Sequence, residues 1–256
     1  MAALDVRIIP VMSDNYVFLA LEPETGSVAV VDPAVGGPVL DAADALGWEI
    51  SHILITHPHY DHIGGIEEIK AKTDARVIGA VGDASAIPGI NQTVADGESV
   101  RIGHAKVRVI GVPGHTGHHV AYWFEEAKVL FPGDTLFSLG CGRLFGGTAG
   151  EMWSSLKKLR DLPDDTLVYP AHEYTNANAD FALTIEKSNK DLKARAKEVL
   201  SQREKNLPTI PTTIAQEKLC NPFLRADVAS VQVAIKMKDA NPVDVFAEIR
   251  KRKDNF

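Results

Sequence analysis

The stretch THPHYDH, Thr56 to His62, places three of the chain's nine histidines and one aspartate within seven positions. Histidines have no packing reason to crowd beside a carboxylate, so the cluster asks for a ligand. By the chain's own composition, such a set at four fixed places arises by chance in roughly one chain in a thousand, which makes the pattern specific. Ile53–Thr56 before it reads as a short buried strand that runs directly into the cluster. His57 and His59 stand two apart at the end of that extended run, where alternate side chains point the same way. Both imidazoles can therefore converge on one metal ion. Asp61 and His62 fall at the turn into the next helix and can aim at a second point close by. Neutral imidazole with carboxylate suits zinc, iron or manganese.

A metal site needs more ligands, supplied by other loops. VPGHTGHH (Val112–His119) carries His115 between glycines, FPGDT (Phe131–Thr135) carries Asp134, and YPAHEY (Tyr169–Tyr174) carries His172. Each stands at a strand end, where loops of a β scaffold build sites. His118 and His119 read as structural or supporting groups, and His52 and His104 as ordinary surface or strand histidines. Asp32, after the strand Val28–Val31, suits either a turn with Pro33 or a hydrogen bond near the site. Cys141 has no evident histidine base and makes a poor nucleophile.

The rest of the chain frames these loops. It has 256 residues, 45% hydrophobic and 24% charged, enough for a full core without staples. Strands are expected at Val6–Val11, Tyr16–Leu21, Val28–Val31, Arg76–Gly79, Lys106–Val112, Val120–Phe124, Val129–Phe131 and Leu167–Tyr169. Helices are expected at Gly37–Leu46, Ile63–Lys72 and Glu151–Arg160. From about Asn178 to Arg203 the composition turns to Ala, Lys and Glu and reads as one long helix. LPTIPTT (Leu207–Thr213) ends it, and shorter helices follow at Ile214–Leu219, Val228–Lys238 and Val243–Lys253. The domains expected are therefore residues 1–174 and a helical 175–256. The net charge of −7 disfavours nucleic acid and anionic membranes as partners. The N-terminal segment shows no leader pattern and no apolar span. With two separated cysteines, Cys141 and Cys220, that makes the cytoplasm the expected compartment.

His57-x-His59-x-Asp61-His62 followed by His115, Asp134 and His172 resembles the metallo-β-lactamase superfamily, over roughly residues 5–175. The resemblance implies an α+β fold, a four-layer αβ/βα sandwich, here with a helical C-terminal domain. It implies two divalent metal ions, zinc first, with iron or manganese also suited. One is held by His57, His59 and His115, and the other by Asp61, His62 and His172, with Asp134 bridging. Asp61 and Asp134 take catalytic roles around a metal-bridging hydroxide. The superfamily names no substrate. GDTLFSLGCGRLFGGTAGEM (Gly133–Met152), HEYT at His172, NPFLR (Asn221–Arg225) and RKRKDNF (Arg250–Phe256) resemble the glyoxalase II family, the hydroxyacylglutathione hydrolases. That resemblance covers nearly the whole chain. It implies hydrolysis of S-2-hydroxyacylglutathione, typically S-D-lactoylglutathione, to glutathione and D-lactate, the second step of methylglyoxal detoxification. It assigns the glutathione part to Arg143, Tyr174, Arg250 and Lys253, and a monomer is expected. Arg250 and Lys253 are three apart on an expected helix, hence on one face. An acidic chain must place such cations locally to bind an anion. Two departures stand out: Arg143 where the family often has lysine, and Phe145 where an aromatic hydroxyl is often found. Three rival readings are a one-iron glutathione persulfide dioxygenase, a nucleic-acid-processing member of the fold and a non-catalytic scaffold. The complete ligand set argues against the first and third, and the acidic chain against the second.

Overall fold

Short apolar runs account for most of the backbone pairing. The computed structural model describes residues 4–256. The first three residues of the N-terminal segment read above as lacking a leader lie outside the described residues. The chain divides into two compact units, Met1–Gly111 with His118–Gly133, and Val112–Gly117 with Asp134–Phe256.

In the first unit, Asp5–Val11 (β1) and Asn15–Glu22 (β2) pair antiparallel, and β2 pairs antiparallel with Ser27–Val31 (β3). Helix Gly37–Leu46 (α1) begins with Pro38 in its first turn and ends at Gly47, which takes the left-handed φ of 66° that favours glycine there. Ile50–Leu54 (β4), Arg76–Ala80 (β5) and Gln92–Val94 (β6) then add in parallel, so the sheet runs β1-β2-β3-β4-β5-β6. Tyr60–Ile63 (α2) and Ile66–Lys70 (α3) connect β4 to β5.

The continuous helix expected over Ile63–Lys72 is interrupted at Gly64 and Gly65. A Cβ on Gly65 would overlap the Val35 carbonyl, and the Gly65 N–H donates to the Pro33 carbonyl at 2.8 Å. Two backbones pass in contact there, so the position needs glycine and the helix breaks.

A second, antiparallel run is built from Ser99–Ile102 (β7), Ala105–Gly111 (β8), Val120–Phe124 (β9) and Val129–Phe131 (β10), in the order β10-β9-β8-β7. One face of the first sheet buries Val17, Leu19, Val30 and Ile53 with Val39 of α1 and Ile66 of α3. Its other face meets the second run through aromatic rings. Phe18 lies 5.3 Å from Phe131, and Phe131 lies 5.8 Å from Phe124. Wholly buried Tyr122 of β9 donates its hydroxyl to Ile55 O at 3.0 Å or Ile78 O at 3.2 Å. That ties the end of β4, just before His57, to the middle of β5.

In the second unit, Leu136–Phe137 (β11) and Gly140–Cys141 (β12) form a two-pair hairpin. Helix Ala149–Arg160 (α4) starts at a reciprocal cap, with Thr148 Oγ1 accepting from Glu151 N–H and the Glu151 carboxylate accepting from Thr148 N–H. Leu167–Val168 (β13) pairs antiparallel with Thr212–Thr213 (β14). Helices Thr175–Ile185 (α5), Lys190–Glu204 (α6), Ile214–Cys220 (α7), Ala229–Ala234 (α8) and Pro242–Asp254 (α9) complete the unit. Phe181, Phe223 and Phe246 are fully buried among them.

Two further helical expectations need correction. The single helix over Asn178–Arg203 is two helices, because Glu186 leaves the helical path to meet Arg225 at 2.8 Å and Asn189 caps α6 through Leu192 N–H at 3.0 Å. The helix over Val228–Lys238 stops at Ala234, since the following loop wraps the Gln232 side chain, whose amide donates to Ala240 O and accepts from Asp239 N–H. Among the described residues no helix is long and apolar enough to cross a membrane.

Replacing Tyr122 with Phe removes the donor that two buried carbonyls share. The expected loss is about 1–3 kcal/mol, read from the urea midpoint at unchanged slope.

Candidate functional site

Asp32 follows β3 with a left-handed φ of 50°, and its buried carboxylate accepts from the Thr56 N–H at 2.8 Å and the Thr56 hydroxyl at 2.7 Å. It therefore serves both the turn and the site. The Thr56 hydroxyl has one proton and donates it to Asp32, so toward His57 Nδ1, 3.0 Å away, it acts as acceptor. Neutral His57 then carries its proton on Nδ1, an assignment made from the hydrogen-bond network. Its Nε2 is left as an acceptor pointing at His59 Nδ1 across 3.0 Å. His62 Nδ1 approaches Asp32 Oδ2 at 3.1 Å. That turns His62 Nε2 toward Asp61 Oδ2 at 3.6 Å. Asp61 is oriented by the Asn15 amide, which donates to Oδ2 at 2.9 Å. His119 is buried and stacks on the His57 ring at 4.6 Å, whereas His118 is exposed. Gly133, at φ 50°, passes so close that a Cβ would overlap Thr56, which is why glycine precedes Asp134.

In the second unit His115, Asp134 and His172 come together. Arg143 O accepts from His115 Nδ1 at 2.8 Å, so neutral His115 also presents Nε2, 3.4 Å from Asp134 Oδ2. His172 Nε2 lies 3.4 Å from the other oxygen, Oδ1. Each oxygen of one carboxylate thus faces a different imidazole. The His172 ring stacks on Tyr174 at 4.8 Å. Glu173, between them, accepts from the Thr209 N–H at 2.8 Å and the Thr209 hydroxyl at 2.7 Å.

The pairing of His115 with Asp134 sets acceptor against acceptor. Such pairs repel in isolation and become favourable with a cation between them. The donor set in both units therefore fits metal: imidazole Nε2 atoms with their far nitrogens anchored, beside carboxylates.

A cavity of about 430 Å³ in the second unit is lined by Arg143, Tyr174, Arg250 and Lys253, with Phe137 and Phe145 among its apolar walls. Its volume suits a small organic ligand. Buried Arg250 donates to Cys141 O at 2.9 Å and pairs with Asp254 at 2.8 Å. Lys253 Nζ donates to Ala177 O at 2.9 Å. Burial, and then the neighbouring Arg250, hold the Lys253 pKa below its ordinary value. A second charge of opposite sign would relieve that cost. Burial pushes the Cys141 thiol up to about 11, which agrees with its reading as a poor nucleophile. His52, beside Ser51 at 2.8 Å, and exposed His104 take no part in either group.

Asn15, Thr56 and the residues beneath the cavity carry no ligand motif, and sequence reading does not single them out as functional. The one signal at Asn15 is a polar residue leading a wholly apolar run.

Two family models match the chain: the metallo-beta-lactamase superfamily over residues 10–172, and the hydroxyacylglutathione hydrolase C-terminus over residues 173–256. A hydroxyacylglutathione hydrolase of Rhodospirillum rubrum is 56% identical over 256 residues, 100% of both chains. One of Methylococcus capsulatus is 51% identical over 253 residues, 99% of each. Among solved structures, ETHE1 from Myxococcus xanthus matches with a TM-score of 0.66 and 26% identity, covering 97% of this chain and 98% of that one. The α+β sandwich with a helical C-terminal region, expected from the sequence, is borne out.

Asp32→Asn keeps a residue that tolerates the left-handed backbone but substitutes an amide for one acceptor oxygen. The variant is expected to fold and to bind metal about 10- to 100-fold more weakly. Elemental analysis after dialysis at graded metal concentrations reads this directly.

Proposed function

Because the chain belongs to the hydroxyacylglutathione hydrolases of the metallo-β-lactamase superfamily, we propose that it hydrolyses the thioester of S-2-hydroxyacylglutathione. S-D-lactoylglutathione is the first substrate to test, and its products are glutathione and D-lactate. One observation carries the reading: the two oxygens of Asp134 face His115 and His172 separately, each at 3.4 Å. That is the arrangement a carboxylate needs to bridge two cations.

In this proposal one metal takes His57, His59 and His115, the other takes Asp61, His62 and His172, and Asp134 bridges. Zinc is the first assignment, with iron or manganese compatible. When bound, the pair supplies water activation and carbonyl polarisation. The chain does the rest. Thr56 and Arg143 O hold the protons of His57 and His115 on the far nitrogens. The Asn15 amide keeps Asp61 turned so that its carboxylate can orient the attacking water.

Glutathione carries two carboxylates, and the cavity offers Arg143, Arg250 and Lys253 within apolar walls. These cations and Tyr174 bind and orient the glutathione part. The lowered pKa of Lys253 supports this, because an anionic ligand restores the charge that burial disfavours. Residues 1–174 are assigned catalysis, with Arg143 and Tyr174 also lending side chains to the pocket, and 175–256 are assigned substrate binding. A cytoplasmic monomer is the working assignment, and the two buried free thiols suit a reducing compartment.

The test follows thioester absorbance of S-D-lactoylglutathione with and without a chelator, beside an oxygen electrode with glutathione persulfide. Hydrolysis lost to the chelator, with no oxygen uptake, is expected. Oxygen uptake without thioester cleavage would overturn the reading in favour of a one-iron oxygenase. Phe145 is 67% exposed and lies 5.3 Å from the His115 ring, where a hydroxyl would reach a bound peptide. Phe145→Tyr is expected to lower KM about fivefold, the worth of one net hydrogen bond of about 1 kcal/mol, with kcat unchanged.

A further inference from the structure

The hairpin Leu136–Cys141 contributes Phe137 and Cys141 to the cavity wall, and Arg143 follows two residues later. With two residue pairs it has little stability of its own. Its turn residue Leu139 has a left-handed φ of 59°, costly for a side chain of that size. Something outside the hairpin must hold it.

Three side chains from the helical region do so. Asn221, fully buried after α7, donates its amide to Gly140 O at 2.9 Å and lies within 3.2 Å of Phe137 O, so it spans both strands. Glu217, fully buried in α7, accepts from the strained Leu139 N–H at 2.8 Å. The same carboxylate accepts from Asn221 Nδ2 at 2.9 Å and from the Thr212 hydroxyl at 2.7 Å. Asn178 of α5 donates to Ser138 O at 3.1 Å. The backbone beside Asp134 is held separately, with the Thr135 hydroxyl donating to Val112 O at 3.3 Å. Displacing the hairpin would therefore move the cavity wall more than the bridging carboxylate.

We propose that Glu217 and Asn221 are positioning residues for glutathione recognition, acting through the Phe137–Cys141 hairpin and touching neither substrate nor metal. The proposal rests on the hydrolase reading above. A carboxylate buried only for stability would be replaceable by apolar packing. Among the described residues, the side-chain hydrogen bonds of Glu217 and Asn221 run to the hairpin, to each other, to the Thr212 hydroxyl and to the Phe223 N–H.

The experiment compares S-D-lactoylglutathione with the lactoyl thioester of N-acetylcysteamine, which lacks both glutathione carboxylates. Glu217→Ala and Asn221→Ala are expected to raise KM for the glutathione thioester about tenfold, with kcat held within about twofold. For the short thioester, kcat/KM should stay within about twofold. Glu217→Gln, which keeps an oxygen for Leu139 and Asn221 and an amide for Thr212, should restore KM. If the alanine variants do not fold, Asn221→Ser shortens the reach without emptying the site and carries the same comparison. An equal loss on both thioesters, or no change in KM, would overturn the proposal. If the unaltered protein cleaves neither thioester, the hydrolase reading fails. The clamp is then judged by calorimetric binding of glutathione, which the alanine variants should weaken and Glu217→Gln should not.

Discussion

The carboxylate of Asp32 is the constraint on which the first unit's site depends. It lies at the end of β3, where the sheet changes from antiparallel to parallel pairing, and it binds across to Thr56 after β4. One buried anion thereby sets the separation of two strand ends and, through Thr56, the proton position on His57. Its desolvation is offset by the Thr56 N–H and the Thr56 hydroxyl, both within 2.8 Å. Deleting it would leave donors buried without an acceptor, which is why its effect reaches beyond its own contacts.

The second unit solves the same problem with a carbonyl. Arg143 O anchors His115 Nδ1, and Arg143 also turns its side chain to the cavity. A single residue thus links the tautomer of a candidate ligand to the cationic lining of the pocket. The hairpin that precedes it is held from beneath by α5 and α7. The geometry around Asp134 is built from backbone groups that only the correct local fold supplies.

The histidine cluster and the buried strands leading to it are legible in the sequence because their signals are local. His57 and His59 alternate on extended backbone, and runs such as Ala29–Val31 and Ile53–Ile55 are apolar throughout, as strands buried on both faces must be. Strands β6 and β7 escape notice because three and four residues give too few positions for a period to show. The break after α5 is invisible for a different reason. Ala-, Lys- and Glu-rich sequence favours helix across residues 178–203, and only Arg225, 39 residues away along the chain, draws Glu186 out of it. The candidate ligands are readable by type and spacing. Asn15 and Glu217 are not, and Asn221 is marked only as the first residue of a resembling stretch with no role attached, since a buried polar residue has meaning only once its partner is in place.

Generic and particular chemistry are separated along this chain. Histidines and aspartates at strand ends offer metal ligation that many members of one superfamily can share. In the proposed reading, what singles out a substrate lies between Phe137 and Lys253. An acidic chain gains nothing from its overall field when the ligand is an anion, so the cations must be concentrated and partly desolvated to act. Arg250 achieves this by leaning on Phe223 at 5.0 Å, and Lys253 by lying 5.3 Å from both Phe181 and Phe256. Those rings belong to the helical region and have no role in metal ligation. The C-terminal helices therefore supply an apolar, partly desolvated mount for these positive charges, which is what the proposed recognition of a doubly carboxylated ligand requires.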